Sequence, residues 1–412
     1  MKKNNYTYEN KMSYKFYNYT LVLYMLLLSG NPFFNQNIDL FGSFTLIFFI
    51  PIFLRNPKIY FNKTFLLSLL FFVGFEVFHS IIFSLDYSKT IIKIALLYIY
   101  GYSIIIYIGK SYINIYVKSM TIIALVSFIF YAINFIHTII HPLYNLADNL
   151  FPLKGDYQNY KTPTLLIYTF DPNYIMGQTQ FPRNAGIFWE AGAFGSFLVI
   201  AYFLYLLEIK PGSIRGLFDR TSKILILAII TTFSTTCFVA LFFVLILFSF
   251  KMKGFYKVFV SIFFILLGYY LFINLQFLKP KIEQQFTEAY ISANRFGALL
   301  LDLKDIKERP LTGWSRRTEV LFGNDLISSH RPNGITNLLR SYGFIYTFLY
   351  WFLIYKSFEK ITTKYNLSRI YAIAGLTTIL ILAFSQLLFE KVFFRSIIYL
   401  GLNYTSYYMN RK

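Results

Sequence analysis

Residues 181–207 read FPRNAGIFWEAGAFGSFLVIAYFLYLL, and this stretch predicts what kind of protein the chain forms. The part after Glu190 is apolar enough to enter a lipid bilayer, whose hydrocarbon core is about 30 Å thick. The first part holds Arg183 and Glu190, and a charged side chain in the hydrocarbon region costs at least roughly 2.5 kcal/mol. Proteins keep such a charged side chain mainly where it is paired with another group or has a function. We therefore expect a membrane helix over 185–207 with a functional site at its start.

Seven residues separate Arg183 from Glu190, so in a helix both would lie on one face, about two turns apart. Their functional interpretation is an anion-binding arginine beside a carboxylate that acts as a base. The alternative is an interfacial arginine at a helix end and a glutamate that pairs with a neighbour. Small residues would let a large ligand approach this helix, and they are Ala185, Gly186, Ala191, Gly192, Ala193 and Gly195.

The composition assigns the broad class of protein. Hydrophobic residues make up 56% of the 412 residues and charged residues only 14%. Apolar runs of membrane-spanning length recur along the whole chain. We list them by residue number as 19–34, 39–54, 65–84, 90–109, 118–140, 185–207, 224–250, 257–276, 336–355, 370–388 and 391–408. The predicted fold is an all-α polytopic integral membrane protein, one membrane domain over 1–412 with about 11–12 transmembrane helices.

Two longer loops, 141–184 and 279–335, separate these runs. Segment 224–250 decides on which side of the membrane the second loop lies. It is either one tilted helix or two short helices broken near residues 234–237. Short basic loops tend to stay in the cytoplasm, and their charge density favours the broken hairpin. Both loops are then extracytoplasmic and both termini cytoplasmic. The aromatic residues of 141–184 suit the faces of sugar rings.

The net charge of +20 does not indicate nucleic-acid binding, because the basic residues lie between the spans rather than in a stripe. The single cysteine, Cys237, excludes an intramolecular disulfide and a thiolate metal cluster. The histidines show no metal-ligand spacing, so we expect neither a metal ion nor a cofactor. They are His79, His137, His141 and His330.

The loop 279–335 is rich in arginine, whose planar guanidinium binds phosphate oxygens in pairs. Its arginines are Arg295, Arg309, Arg316, Arg317 and Arg331. A turn-forming stretch, 310–314, would hold the two arginines that follow it. We expect Arg295, Arg316, Arg317 and Arg331 to bind a diphosphate, with His330 as hydrogen-bond donor or proton acceptor. The alternative is a solvated basic surface with an inert histidine.

Other charges lie inside predicted spans. Arg340 lies one to two turns into the span that begins near 336. An ion pair between Glu190 and Arg340 would account for both residues without catalysis. Glu76, Lys93 and Arg395 are also intramembrane charges, and for these we expect only pairing.

The sequence Arg183-Asn-Ala-Gly-Ile-Phe-Trp-Glu190-Ala-Gly resembles the Arg-x-x-Gly-x-Phe-x-Glu-Pro-Gly/Asn signature of the O-antigen polymerase and O-antigen ligase superfamily. Further similarities follow in the same order along the chain. They are a Ser/Thr-rich break at 231–236, Arg295, the turn 310–314 and Asn333-Gly-Ile-Thr-Asn337-Leu-Leu-Arg-Ser-Tyr-Gly343. Ala191 stands where the family has proline, so the kink expected after Glu190 lacks its usual cause.

The resemblance covers about residues 181–345 and implies a membrane glycosyltransferase with Glu190, Arg183 and His330 as catalytic residues. The diphosphate and glycan would contact Arg295, Arg316, Arg317, Arg331, Asn333, Asn337 and Arg340. The implied substrate is an oligosaccharide linked to undecaprenyl diphosphate, used at the periplasmic face of the bacterial inner membrane. Neither a nucleotide sugar nor a metal is implied. Membrane lipids and a regulator of chain length are the implied partners.

Within that family the chain is expected to be the polymerase of O-antigen repeat units in lipopolysaccharide biosynthesis. The ligase that moves finished chains onto lipid A–core is the alternative of the same family. A flippase or other transporter is the alternative from another class. Transporters commonly contain repeated halves, and the sequence shows no internal repeat.

Overall fold

The computed structural model describes residues 3–55, 62–86, 88–153, 162–177, 179–252, 254–274, 295–322 and 331–404. The prediction of a helical fold is confirmed, since one hairpin of two-residue strands is the only sheet in these ranges. The helices are α1 Lys3–Gly30, α2 Pro32–Gln36, α3 Ile38–Arg55, α4 Lys63–Ile82, α5 Ser88–Ile108, α6 Tyr112–Ile133, α7 His137–Leu150, α8 Pro172–Ile175, α9 Ala191–Ile209, α10 Ile214–Leu217, α11 Arg220–Thr231, α12 Thr235–Ser249, α13 Tyr256–Asn274, α14 Arg295–Glu308, α15 Thr318–Phe322, α16 Gly334–Lys364, α17 Ile370–Ala383 and α18 Val392–Leu400. The strands are β1 Thr164–Leu165 and β2 Tyr168–Thr169.

Three helical stretches within the described ranges are long and apolar enough to cross a membrane, Lys63–Ile82, Ser88–Ile133 and Ala191–Ile209. The middle stretch consists of α5 and α6, which a short 3₁₀ turn at Gly109–Ser111 joins. Shorter apolar helices accompany them, so the expected number of about 11–12 spans stays a prediction.

Helix α9 is the core of the bundle. Its residues are apolar on all sides, as expected for a helix that other helices surround. It packs against α6, α11, α12 and α17. Of its aromatic side chains, Phe194, Phe197 and Tyr202 are fully buried. A helix buried all round is a fixed support for groups at its ends.

The hairpin predicted within 224–250 is present. Helices α11 and α12 are separated by residues 232–234, and both pack along α9. A Cβ atom on Gly195 would lie 2.5 Å from Cys237 Sγ, which puts the turn of the hairpin beside the start of α9. At the other end of α9, Tyr205 donates a hydrogen bond to Asp219, which caps α11. The two helices, about 18 and 22 Å long, therefore run in opposite directions along α9.

The first loop contains α7, the strand hairpin and α8. Tyr168 and Phe170 are buried in a small apolar cluster, and the Tyr168 ring stacks on Phe130 with centroids 5.1 Å apart. The expectation that the loop's aromatic rings face sugars is therefore wrong for these two residues, because they form its own core. Tyr157 and Tyr160 lie outside the described residues.

Candidate functional site

The segment 181–190 is irregular rather than helical, so the prediction that Arg183 and Glu190 share a helix face is wrong. Gly186 has φ +53°, a backbone conformation that ends helices and favours glycine. The Asn184 carboxamide oxygen accepts a hydrogen bond from the Gly186 amide at 3.1 Å, which stabilises this turn. Helix α9 begins only at Ala191, and Glu190 is its N-cap residue.

Two side chains fix the segment to neighbouring helices. The Asn184 amide donates to Ser127 Oγ of α6 at 2.9 Å and to Thr231 Oγ1 of α11 at 3.0 Å. The Arg183 Nε donates to the Thr232 carbonyl at 3.2 Å, at the turn of the α11–α12 hairpin. Arg183 is therefore held beside the start of α9, as the sequence predicted, although the backbone around it differs.

Asp171 supports Arg183 from the first loop. Its carboxylate accepts a hydrogen bond from the Arg183 backbone amide at 3.1 Å. Burial raises the pKa of Asp171 above its usual value, and the charge of Arg183 acts in the opposite direction. The first loop thus supplies an acidic neighbour that fixes the arginine's backbone.

Glu190 is bound by a residue that sequence reasoning missed. The Gln386 amide donates a hydrogen bond to Glu190 Oε1, and Gln386 is buried just after α17. A Cβ atom on Gly192 would lie 2.5 Å from the side-chain nitrogen of Gln386. It would lie 3.5 Å from the hydroxyl oxygen of Ser234, which is the residue before α12. Gly334, at the start of α16, is packed equally closely against the Gln386 carbonyl. Three helices, α9, α12 and α16, therefore begin around Gln386.

Arg295, the first residue of α14, completes this site from the second loop. The charges of Glu190 and Arg183 both act on its guanidinium. Burial lowers the pKa of Arg295, and the carboxylate of Glu190 counteracts that effect. Its Nε is buried and has no hydrogen-bond partner among the described residues. Arg183 and Glu190 thus lie near the start of α9, and the charge of Arg295, 112 residues beyond Arg183 in the sequence, interacts with both of them.

Arg331 and Arg340 belong to a separate charge network centred on Asp302 of α14. Arg331 pairs with Asp302 at 3.0 Å and with Asp305 at 2.5 Å. Arg340 pairs with Asp302 at 3.6 Å, so the alternative of a Glu190–Arg340 ion pair is wrong. Burial raises the pKa of Asp302, while Arg340, the Thr336 hydroxyl and Arg331 all lower it. This network fixes α14, and with it Arg295, to α16.

The turn 310–314 is fitted into a break in α16. Gly343, inside that helix, has φ +70°, and the Phe344 amide beyond it donates to the Pro310 carbonyl at 2.8 Å. Gly313 lies so close that a Cβ there would be 2.6 Å from the backbone of Ser341. This close packing of the turn against α16 agrees with the predicted rigid placement of Arg316 and Arg317.

Arg316 and Arg317, which follow this turn, each have an acidic neighbour of their own. Arg316 pairs with Glu390, which precedes α18, at 3.5 Å. Arg317 lies 3.9 Å from Glu319, and both of these side chains are exposed. The diphosphate role of Arg316 and Arg317 stays a prediction.

Asn333 and Asn337 lie at the start of α16. The Asn333 side chain caps the helix by accepting from the Ile335 amide at 3.1 Å and the Thr336 amide at 3.2 Å. Asn337 is half-buried one turn later. His330 lies outside the described residues, so its role stays a prediction.

The segment between α17 and α18 is the part of the site that sequence analysis did not identify. Besides Gln386 it contributes Lys391, whose ammonium lies 4.5 Å from the centre of the Trp189 ring. The sequence did contain a signal, since Gln386, Glu390 and Lys391 interrupt an otherwise apolar sequence where the predicted spans 370–388 and 391–408 meet. Within the described ranges, no group of three or more His, Cys, Asp or Glu side chains is arranged to hold a metal ion.

Comparisons of this chain with protein-family models, curated proteins and solved structures give no match. The function is therefore argued from the site alone.

Proposed function

We propose that this chain is a polytopic membrane glycosyltransferase that polymerises lipid-linked glycan repeat units, as O-antigen polymerases do. The observation that carries the proposal is the position of Glu190 at the start of α9, where Gln386 binds its carboxylate, Arg183 is fixed to the adjacent turn at Thr232, and the charge of Arg295 acts from the second loop. Two cations beside one carboxylate suit a reaction in which an anionic group leaves and a hydroxyl loses a proton.

The arrangement of the helices supports a topology with both large loops on the periplasmic side of the inner membrane. The first loop leads into the start of α9 and the second into the start of α16, and both helix starts pack against Gln386, which supports a position of the two loops at the same end of the bundle. The α11–α12 hairpin reverses the chain in between, as a membrane topology with both termini in the cytoplasm requires. The proposed count of spans is 11–12.

The proposed reaction joins a growing chain to the next repeat unit. Glu190 accepts the proton of an acceptor hydroxyl, whose oxygen then bonds to the anomeric carbon of the donor sugar. The bond between that carbon and the phosphate oxygen breaks, and undecaprenyl diphosphate leaves with the electron pair. Arg183 and Arg295 stabilise the negative charge that develops on the leaving group.

The position of the site also suits a substrate with a lipid tail and a polar head. The irregular segment 181–190 and the N-terminus of α9 form a polar end on an apolar helix. A polyprenyl chain can remain among the apolar helices while its diphosphate reaches the arginines. Gln386 orients the Glu190 carboxylate through its hydrogen bond to Oε1.

Deleting the gene and examining lipopolysaccharide on a gel tests this proposal. A polymerase predicts core carrying a single repeat unit and no ladder of longer chains. Bare core would instead indicate the ligase, and an unchanged ladder would contradict both. Purified protein that moves lipid-linked sugar between the leaflets of a vesicle without extending it would indicate a transporter.

A further inference from the structure

A second group of charged side chains lies beside the proposed reaction site, and we call it the Lys391 group. It comprises Arg316, which follows the 310–314 turn, with Glu390 and Lys391, which precede α18. All three side chains are partly exposed, Arg316 to 24% and Glu390 to 34%. A ligand at the loop end of the bundle can therefore reach this group.

Two contacts hold the Lys391 group next to Glu190. The Lys391 ammonium lies 4.5 Å from the centre of the Trp189 ring, and the Gln386 amide donates a hydrogen bond to the Glu190 carboxylate. Trp189 and Glu190 are consecutive, and Gln386 and Lys391 are five residues apart (386 to 391) in one segment. The two segments therefore lie side by side, with the side chains of Trp189 and Glu190 also partly exposed.

Lys391 has no carboxylate of its own. An ammonium has three N–H donors, and the side-chain oxygen of Asn35 accepts from one of them at 3.5 Å. Glu390, the neighbour in the sequence, pairs with Arg316 at 3.5 Å instead. Among the residues that the structure describes, no carboxylate oxygen lies within 4.0 Å of the Lys391 nitrogen. The ammonium therefore retains donors for a ligand.

The surroundings of Lys391 disfavour its positive charge. Burial acts against the charge, the carboxylate of Glu390 acts in its favour, and Arg316 and Arg395 act against it. The same carboxylate is acted on by four cations, which are Arg316, Arg395, Lys391 and Arg340. Lys391 is also the N-cap residue of α18, where the helix macrodipole favours an anion over a cation. A bound anion would relieve all of these effects.

The buried charges behind the group do not remove this excess. Glu76 accepts a hydrogen bond from the Tyr342 hydroxyl, and Arg395 lies over the Tyr98 ring, 5.0 Å from its centre. Neither forms an ion pair within the described ranges, so the pairing expected from the sequence is wrong for these two. Even with Glu76 included, three cations stand against two carboxylates here. Lys93, the third such residue, does pair as expected, with Asp39 at 2.6 Å.

The chemistry of the group matches a phosphate. A lysine ammonium binds phosphate as a point charge, and a guanidinium binds it through its planar fork. The proposed reaction joins two lipid-linked glycans, and each of them has a diphosphate. Arg183 and Arg295 serve the diphosphate that leaves with the donor lipid. The acceptor keeps its diphosphate throughout the transfer, so it needs a second anionic site near the same end of the bundle.

We infer that Lys391 and Arg316 bind the diphosphate of the lipid-linked acceptor. This inference rests on the proposed function, because it supplies a site for the second substrate of the same transfer. No bond forms or breaks at the Lys391 group. Its role is to hold the acceptor lipid while the hydroxyl of the acceptor glycan reaches Glu190.

The stoichiometry of lipid binding tests the inference. The probe is radiolabelled undecaprenyl diphosphate, added to the purified full chain in detergent. Wild-type protein should bind two equivalents, one at each site. Lys391→Gln should weaken one of them about tenfold or more, since it removes a hydrogen bond between charged groups. Arg183→Ala should weaken the other and leave the Lys391 site intact.

Thermal unfolding without ligand separates binding from a purely structural role. Lys391→Gln should unfold at the wild-type temperature or above it, because it removes a cation that its surroundings disfavour. A lower unfolding temperature with both equivalents retained would mean that Lys391 only packs against Trp189, and would overturn the inference. If this variant does not accumulate, Arg316→Gln replaces it and should lose the same equivalent.

Lys210→Gln is the matched control. Lys210 also lies over an aromatic ring, 5.6 Å from the centre of Tyr365, but it follows the other end of α9. This variant should bind both equivalents like wild type. Loss of one equivalent in Lys210→Gln would show that the loss in Lys391→Gln is not specific to the site, and would overturn the inference.

The source of the phosphate is tested by competition. Phosphatidylglycerol carries a single phosphate and should not displace either equivalent at a comparable concentration. Displacement of the Lys391 equivalent would assign this site to a phospholipid headgroup and would overturn its role for the acceptor.

Failure of the proposed function is visible separately. An unchanged lipopolysaccharide ladder in the deletion strain would reject the polymerase without reference to Lys391. A ladder that disappears on deletion, combined with a single equivalent bound by wild-type protein, would reject only the acceptor site.

Discussion

The side-chain amide of Gln386 donates a hydrogen bond to the carboxylate of Glu190 across 196 residues of sequence. This bond joins the segment after α17 to the start of α9. It also leaves the second carboxylate oxygen of Glu190 for another partner. A carboxylate fixed in this way has a defined direction from which it can accept a proton.

Glu190→Gln should abolish most turnover without loss of folded protein. The amide keeps the shape of the side chain but cannot act as a base, and general-base catalysis is worth about 10²–10⁴-fold. The measurement is polymer ladder on a gel alongside abundance in the membrane. Glu208→Gln, at the opposite end of α9, is the control and should keep its ladder. Normal ladder formation by Glu190→Gln would exclude the role of base.

Arg183→Ala and Arg295→Ala should each abolish the ladder while the protein level holds. Lysine at either position should restore little activity, because it keeps the charge and loses the planar fork that matches phosphate. Arg215→Ala, an exposed arginine at the other end of the bundle, is the control for loss of charge alone. Full activity of both alanine variants would remove the diphosphate site from this region.

Asp302→Ala should lower the stability and membrane abundance of the protein. The change would leave Arg331 and Arg340 buried without their shared partner, and breaking such a buried pair costs about 3–5 kcal/mol. Thermal unfolding of the purified variant measures the effect. Glu319→Ala is the matched control, since its ion pair with Arg317 is exposed and contributes little. Equal stability of the two variants would show that the Asp302 network does not fix α14.

Labelling of single-cysteine variants should show that both large loops lie on the same side of the membrane. Met176 and Leu311 are 55% and 60% exposed, and the native Cys237 is buried and should stay unlabelled. Met176→Cys and Leu311→Cys should react with an impermeant maleimide added from the periplasmic side. Arg215→Cys should react only after the membrane is opened. Protection of Leu311→Cys from the outside reagent would contradict the hairpin topology.

Gly343→Ala should destabilise the contact between the 310–314 turn and α16. A Cβ atom would overlap the Leu311 backbone, and the conformation of Gly343 (φ +70°, ψ −177°) is essentially restricted to glycine, so alanine there costs about 1–3 kcal/mol. We expect a lower unfolding temperature and loss of the ladder. Gly74→Ala, where a Cβ meets nothing within 4 Å, should behave like wild type. If the two variants unfold at the same temperature, the turn is not held by this close contact.

The sequence allowed prediction of the helices and of the α11–α12 reversal, because apolar runs and a polar break are local signals. It also identified Arg183, Glu190 and Arg295 as candidates for one site. It did not predict the irregular backbone before α9, although Asn184 and Gly186 in that segment are typical turn residues. Their signal was outweighed by the surrounding apolar residues.

The partners of the charged residues could not be predicted in the same way. Gln386 is an uncharged residue in an apolar segment, and its contact with Glu190 depends on how α9 and α17 pack. The alternative that paired Arg340 with Glu190 is wrong, since the guanidinium of Arg340 pairs with Asp302 of α14. Such choices are made by tertiary packing, which no single stretch of sequence specifies.

The meeting of the starts of α9, α12 and α16 around Gln386 has a consequence for electrostatics. Each helix carries a macrodipole equivalent to about half a positive charge at its N-terminus. Three of them directed at one place create a positive potential that belongs to the backbone and is present whatever side chains surround it. Alanine variants of the arginines should therefore lose turnover yet keep weak affinity for anions, because the path of the main chain itself attracts negative charge.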